Sequence, residues 1–154
     1  MSSAARNFAR AYAPGDRDAC LRLFDGNVPA FFATSERADF EGFLDQLDAG
    51  CAYQVIECDG RIVACGGHAI EADRTTASLC WGMVDRDLQR TGLGTMLTNA
   101  RLRAAAQTSG VTQVRLGTSQ HTQGFYARFG FEAERVIPDG YGPGLDRWDM
   151  RLRF

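Results

Sequence analysis

A run of six residues, Gln89-Arg90-Thr91-Gly92-Leu93-Gly94, has the composition of an anion-binding turn. It follows a predicted strand over residues 77–84 and leads into a predicted helix over residues 92–108. The first amides of a helix have no intrahelical acceptor and lie at the positive end of the helix dipole, so they attract phosphate. Gly92 and Gly94 lack the Cβ atoms that would hold a diphosphate away from these amides. The segment therefore predicts a nucleotide-type ligand.

Three kinds of phosphate-binding turn have this general form. A Walker A loop requires a lysine, and the chain contains none. A dinucleotide-binding fingerprint requires a third glycine where this chain has Leu97. The remaining pattern is Q-x-x-G-x-G, formed by Gln89, Gly92 and Gly94. One predicted β-α-β unit further on, residues 124–131 (GFYARFGF) form a second, aromatic motif at the end of a helix.

The elements that would position these motifs follow from periodicity and turn residues. The turn dipeptide Asp59-Gly60 predicts a two-residue hairpin, and a Gly/Pro-rich loop is expected over residues 138–145. The order of elements indicates a mixed α/β fold, with an antiparallel meander followed by β-α-β crossovers. The predicted strands cover residues 8–12, 52–58, 61–70, 77–84, 111–118, 133–137 and 147–154.

Four helices are predicted. Asp16 is a plausible N-cap for the first, and Thr34 or Ser35 for the second, which is expected to stop at Gly50. The other two cover residues 92–108 and 122–129. The predicted apolar face of the long third helix consists of Leu93, Met96, Leu97, Ala100 and Ala104.

Composition narrows the class of protein. A chain of 154 residues with 45% hydrophobic and 23% charged residues is expected to form one globular domain. A net charge of -2 without a basic run indicates neither nucleic-acid nor membrane binding. The five cysteines lack a CxxC pair and no signal peptide is visible, so a reducing cytoplasm is expected. Neither of the two histidines lies at ligand spacing, so no metal is expected.

The two motifs together resemble the pyrophosphate-binding turn and the "FYxxxGF" helix ending of the GNAT acetyltransferase superfamily, and the resemblance extends over nearly the whole chain. It implies a single domain, 1–154, of mixed α/β class. The GNAT-type fold has a mostly antiparallel sheet of six or seven strands, splayed at the cofactor site, and about four helices. The resemblance also implies acetyl-CoA as co-substrate, and acetyl transfer by direct attack of a primary amine on a small-molecule or amino-acid-like acceptor.

Individual residues acquire expected roles from this resemblance. The backbone of Met83 and Val84 is expected to pair with the pantetheine arm, and the Val84 N–H to polarise the thioester carbonyl. Tyr126 aligns with the tyrosine that protonates or hydrogen-bonds the departing thiolate, although it could instead belong to an aromatic core stripe. Arg90 could also pair with phosphate directly. The expected cofactor-binding set is Met83, Val84, Gln89, Arg90, Thr91, Gly92, Leu93, Gly94, Thr95, Ser119 and Tyr126.

The chain departs from the family pattern at two positions. Ser119 stands where an asparagine is frequent, and Arg86 where a proline is common after the bulge. The general base is not identified. Its polar candidates are Glu57, Glu71, His68 and His121.

The acceptor pocket is expected between the first two helices and the last hairpin, with residues 139–144 as a lid or a long turn. Its expected residues are Phe31, Phe32, Tyr141, Asp146, Arg147 and Trp148, although Phe31 and Phe32 could instead belong to the core. Two other functions stay open: a non-catalytic acyl-CoA sensor, and an acetyltransferase acting on protein N-termini or lysines. The C-terminal strand could pair with a second copy in a homodimer, or its arginines could protect a sheet edge.

Overall fold

The computed structural model describes residues 6–47 and 51–154, which form a seven-stranded sheet with four helices. The strands are β1 (Asn7–Ala11), β2 (Cys51–Cys58), β3 (Arg61–Ile70), β4 (Thr76–Val84), β5 (Gln113–Thr118), β6 (Glu132–Gly142) and β7 (Leu145–Arg153). The helices are α1 (Arg17–Gly26), α2 (Arg37–Asp45), α3 (Leu93–Ala106) and α4 (Gln123–Ala127).

The strand order is β1-β2-β3-β4-β5-β7-β6. Strands β4 and β5 are parallel, and the other neighbouring pairs of this described sheet are antiparallel. The predicted fold class, a mixed α/β protein with a mostly antiparallel sheet, is therefore confirmed. The β2–β3 hairpin turns at Asp59 and Gly60, whose φ angles of 51° and 80° are those that a two-residue turn of this kind requires.

Helices cover both faces of the sheet. Side chains alternate along each strand, so apolar residues of one strand can face helices on either side. On β2, Val55 faces the cluster formed with Phe24 of α1 and Phe40 of α2, whereas Ile56 faces Leu97 of α3. Burying a side chain of this size stabilises the fold by about 1.5–3 kcal/mol. Among the described residues, the helices are too short or too polar for any of them to traverse a bilayer.

The helix α1 starts where it was predicted to start, but the expected capping hydrogen bond is not formed. The helix begins at Arg17, so Asp16 occupies the expected N-cap position, but its side chain makes no bond to the helix amides. One carboxylate oxygen instead accepts from the Ala13 N–H at 2.8 Å, and the two oxygens accept from Arg10 at 2.8 Å each. Arg10 engages both carboxylate oxygens at once, which holds the carboxylate away from the helix amides.

The observed start and end of α2 also differ from the predicted ones. A 3₁₀ turn over Thr34–Glu36 precedes it, so the N-cap position falls at Glu36 and the prediction of Thr34 or Ser35 as cap is wrong. The Glu36 carboxylate accepts from the Ala33 N–H at 2.8 Å. The helix ends at Asp45, and Gly50, its predicted end, lies outside the described residues.

The buried face of α3 is shifted from the predicted one. Leu93 and Leu97 are buried as expected, but the same face continues through Arg101 and Ala105 rather than Ala100 and Ala104. An i, i+4 row of side chains keeps to one face of a helix. The prediction failed because it assigned the arginine to solvent.

The expected loop over residues 138–145 is wrong, because β6 continues to Gly142 and β7 begins at Leu145. Between the pairs Ile137↔Arg147 and Gly142↔Leu145 the register shifts, and side chains replace the ladder bonds there. The Asp139 N–H donates to an Asp146 oxygen at 2.9 Å, and the Gly144 N–H to an Asp139 oxygen at 2.7 Å.

The C-terminal strand does not form a sheet edge. Strand β7 lies between β5 and β6, and the described edges are β1 and β6. Pairing of this strand with a second copy, and edge protection by its arginines, are therefore both wrong as structural predictions.

Candidate active site

The Q-x-x-G-x-G segment forms a turn that ends at the first residue of α3. The turn begins after β4, where an Asp85 carboxylate oxygen accepts from the Asp87 N–H at 2.9 Å. The first helical hydrogen bond runs from the Met96 N–H to the Gly92 carbonyl, at 3.0 Å. The N–H groups of the three residues between them have no intrahelical acceptor. They are free to bind an anion at the positive end of the helix dipole.

The two glycines of this turn act differently. Gly92 has a φ of 88°, a left-handed conformation that other residues rarely adopt, and a Cβ there would meet nothing within 4 Å. A Cβ at Gly94 would lie 3.4 Å from the ring of Phe125 on α4. Gly92 therefore permits the turn, whereas a Cβ at Gly94 would make an ordinary contact with α4.

Strands β4 and β5 separate beside this turn. They pair only over three residues, Thr76 with Gln113 to Ser78 with Arg115. Beyond this point β4 follows β3 and β5 follows β7, which opens a cleft of about 790 Å³. The predicted splay is thus present.

A bulge in β4 lies directly before Met83 and Val84, the two residues expected at the splay. The register shifts between the pairs Cys80↔Gly67 and Met83↔Cys65, and Trp81 in the bulge has a φ of 46°. A bulge of this kind redirects the strand and locally interrupts its pairing.

Val84 presents its backbone to the cleft. The Asp85 N–H donates to the Val63 carbonyl at 2.8 Å, so by alternation the Val84 N–H and carbonyl point away from β3. The Val84 carbonyl accepts from Asn27 Nδ2 at 2.9 Å, which leaves the N–H available. The same alternation turns the Met83 backbone toward β3, while Met83 still lines the cleft.

Asn27 links three parts of the site. This residue is 2% exposed, and its Nδ2 also donates to the Leu23 carbonyl of α1 at 2.8 Å. Its Oδ1 accepts from Gln89 Nε2 at 3.3 Å. The end of α1, the end of β4 and Gln89, the first residue of the Q-x-x-G-x-G turn, are therefore held by one amide.

Tyr126 belongs both to an aromatic cluster and to the cleft. Its ring makes edge contacts with Phe125 at 5.1 Å and Phe131 at 5.9 Å between ring centroids. Its hydroxyl accepts from Arg101 Nη2 at 3.2 Å. Ser119, at the end of β5, also lines the cleft and is 4% exposed.

The cleft also contains part of the expected acceptor pocket. Phe31, Phe32, Tyr141 and Arg147 line it, and burial raises the pKa of Tyr141 to about 12. Asp146 and Trp148 lie outside this lining. Arg86, which replaces the family's proline, places its guanidinium 4.8 Å from the centre of the Phe31 ring.

One of the four candidates for the general base lines the cleft. Among them, His121 lines the cleft and makes an edge contact with Phe31. Glu57 is paired with Arg10 at 3.1 Å, Glu71 lies 4.0 Å from Arg115, and His68 is buried outside the lining.

Three charged residues that line the cleft, Glu36, Arg101 and Arg128, were missed by the sequence analysis. Burial raises the pKa of Glu36, as expected for a carboxylate partly removed from water. Its position after Thr34 and Ser35 resembles an ordinary helix start, so no sequence signal distinguishes it. Arg101 was hidden because arginine is rarely buried.

Comparisons with known proteins agree with this geometry. The family model described as "Acetyltransferase (GNAT) domain" matches residues 49–133, more than half of the chain. No protein of curated function matches.

Solved structures share the fold over nearly the full length. A GNAT-family protein from Desulfovibrio desulfuricans is 24% identical, with a TM-score of 0.81 over 96% of this chain and 99% of its own. The ribosomal-protein-S18-alanine N-acetyltransferase of Escherichia coli is 21% identical, with a TM-score of 0.78 over 96% and 94%. An aminoglycoside 6'-N-acetyltransferase complexed with coenzyme A is 16% identical, with a TM-score of 0.77 over 95% and 96%. The family match, together with the splayed β4 and the turn before α3, shows that this chain belongs to the GNAT superfamily of acetyltransferases.

Proposed function

We propose that the protein is an N-acetyltransferase that moves an acetyl group from acetyl-CoA to a primary amine of a small-molecule or amino-acid-like acceptor by direct attack. One observation carries this proposal: a single cleft collects the amides at the start of α3, the backbone of Val84 and the hydroxyl of Tyr126. These are the groups needed at the diphosphate, the carbonyl oxygen and the sulfur of the donor.

Each group has a physical task. The amides of Leu93, Gly94 and Thr95 bind the diphosphate, with the backbone of residues 89–92 closing the turn and Arg90 available for charge pairing. Acetyl-CoA supplies the activated acetyl group. The Val84 N–H is a fixed dipole for the oxygen on which charge develops. The Tyr126 hydroxyl hydrogen-bonds the departing sulfur.

The remaining lining of the cleft supports an amine as acceptor. Phe31, Phe32 and Tyr141 offer apolar walls for the body of the acceptor, and Glu36 offers the carboxylate that an ammonium group would pair with. A carboxylate with a raised pKa is also a better proton acceptor. Glu36 therefore joins His121 as a base candidate.

The test is a thiol-release assay with acetyl-CoA and a panel of aminoglycosides, amino acids, polyamines and peptide N-termini. Tyr126→Phe is expected to lower kcat by about 10–100-fold with coenzyme A affinity nearly unchanged. Tyr12→Phe, outside the cleft lining, is the matched control. Thermal stabilisation by coenzyme A without product from any amine would contradict the proposal and favour the acyl-CoA sensor. Activity confined to peptides would favour the protein acetyltransferase.

Cytoplasmic location and a homodimer stay predictions. The odd number of cysteines, without a CxxC pair, is the observation that favours a reducing compartment. Sedimentation of the purified protein would determine its oligomeric state.

A further inference from the structure

Arg101 places a guanidinium at the inner wall of the cleft, near the middle of α3. The residue is 2% exposed, and its Nε has no hydrogen-bond partner among the described residues. No carboxylate of the described residues lies within 4.0 Å of it. A buried charge without a counter-charge is strongly unfavourable. The position of Arg101 therefore favours an anionic group beside the guanidinium.

The backbone makes room for this side chain. A Cβ on Gly82 would lie 2.7 Å from Arg101 Nη1 and 2.8 Å from Nη2, and one on Gly66 would lie 3.3 Å from Cζ. These two glycines face each other across the bulge of β4. The guanidinium consequently rests against the point where β4 leaves its neighbour and the cleft opens.

The protein's own titratable groups around Arg101 do not supply the anion. Burial raises the pKa of Cys65, and a hydrogen bond with Cys51 together with burial raises the pKa of Cys80. Burial, and then the charge of Arg101, lower the pKa of His68. At neutral pH these groups are two thiols and an uncharged imidazole. Tyr126, the remaining contact, receives the hydrogen bond from Nη2 at 3.2 Å.

We propose that Arg101, with the Tyr126 hydroxyl, stabilises the negative charge that develops on the sulfur of coenzyme A during acetyl transfer. This inference rests on the proposed function. The C–N bond forms as the C–S bond breaks with its electron pair on sulfur, and the proton lost by the amine nitrogen goes to water. A hydroxyl that accepts from a cation donates more strongly to a second acceptor. Arg101 thereby adds a fixed positive charge where the leaving group needs one.

The experiment measures the ionisation of bound coenzyme A, without any acceptor. The ultraviolet absorbance of the thiolate is followed as a function of pH, and the complex with S-methyl-CoA serves as the blank, which subtracts the absorbance of the protein's own cysteines. In Arg101→Met the midpoint of thiolate formation is expected to rise by about one pH unit or more, the effect of losing one hydrogen bond to a charged group. Arg101→Lys, which keeps the charge, is expected to stay closer to the wild type. Arg103→Gln, on the exposed side of the same helix, is the matched control and leaves the midpoint unchanged.

Kinetics supply a second readout. Arg101→Met is expected to lower kcat by about 10–100-fold while the KM for acetyl-CoA changes by less than about threefold, because the interaction strengthens only as the sulfur becomes negative. Arg101→Met should fold, since an apolar side chain of similar size replaces a buried unpaired charge. If it does not, Arg101→Gln takes its place in both measurements.

Equal thiolate midpoints in the wild type and the charge-removing variant would overturn the inference. So would a loss of succinyl-CoA affinity with an unchanged midpoint, which would assign the guanidinium to a carboxylate on the acyl group. A wild-type protein that binds no coenzyme A would overturn the proposed function as well. Bound coenzyme A with an unmoved midpoint would overturn only the role of Arg101.

Discussion

Replacing Asn27 by alanine tests whether one buried amide holds the site together. The side chain donates to the Leu23 carbonyl at 2.8 Å and to the Val84 carbonyl at 2.9 Å. The Asn27 N–H itself bonds to Phe24, so the Leu23 carbonyl depends on the side chain. Leaving a buried acceptor without a partner costs about 1–3 kcal/mol. We therefore expect Asn27→Ala to lower the free energy of unfolding by about 2–5 kcal/mol.

Urea denaturation measures this loss, and Asn99→Ala on the exposed face of α3 is the control, expected to stay within about 0.5 kcal/mol of the wild type. The KM for acetyl-CoA should also rise, because Gln89 and Val84 lose their common anchor. A destabilisation below about 1 kcal/mol would refute the reasoning, since water or a backbone shift would then satisfy both carbonyls.

Three further changes test the turn and the charges. Gly92→Ala should cost about 1–3 kcal/mol of strain at a φ of 88° and weaken coenzyme A binding in calorimetry; unchanged affinity would contradict this. Arg10 lowers the pKa of Asp16, so the stability that Asp16→Asn removes, about 1 kcal/mol, should be present at neutral pH and vanish as acid protonates the carboxylate. A difference in Tm between Asp16→Asn and the wild type that stays the same at every pH would contradict this prediction. Because burial raises the pKa of Glu36, Glu36→Gln should raise Tm at about pH 7 but not at about pH 3, and a lower Tm at neutral pH would count against this.

The sequence predicted correctly those elements whose conformation depends on neighbouring residues in the chain. The Asp59-Gly60 hairpin and the strand-turn-helix around Gly92 follow from backbone freedom at single residues, and both occur as predicted. The last hairpin was mispredicted because Asp139 and Asp146 bond to backbone groups across it, and such pairings are set by the fold. The same holds for Asp16, whose arginine partner comes from a preceding strand.

The sequence pattern singles out the residues of the turn but not the residues that the fold brings to the same cleft. Gln89 and Gly92 stand out by spacing, whereas Asn27 becomes part of the site only when α1 reaches the ends of β4 and the turn. Glu36 and Arg101 carry no local signature, because a charged residue on a helix is usually solvated. Their burial depends on which face of each helix the sheet covers.

The charges of Glu36 and Arg101 suit the charges that develop during acetyl transfer. Glu36 lies where the acceptor is expected, and Arg101 lies on the α3 side beside Tyr126. Direct transfer moves negative charge away from the thioester toward its sulfur while the amine becomes positive. A carboxylate in the expected acceptor region and a guanidinium beside Tyr126 therefore complement the charges that the reaction creates. Burying either charge away from water costs free energy, and its stabilising effect appears only when opposite charge develops on the reactants.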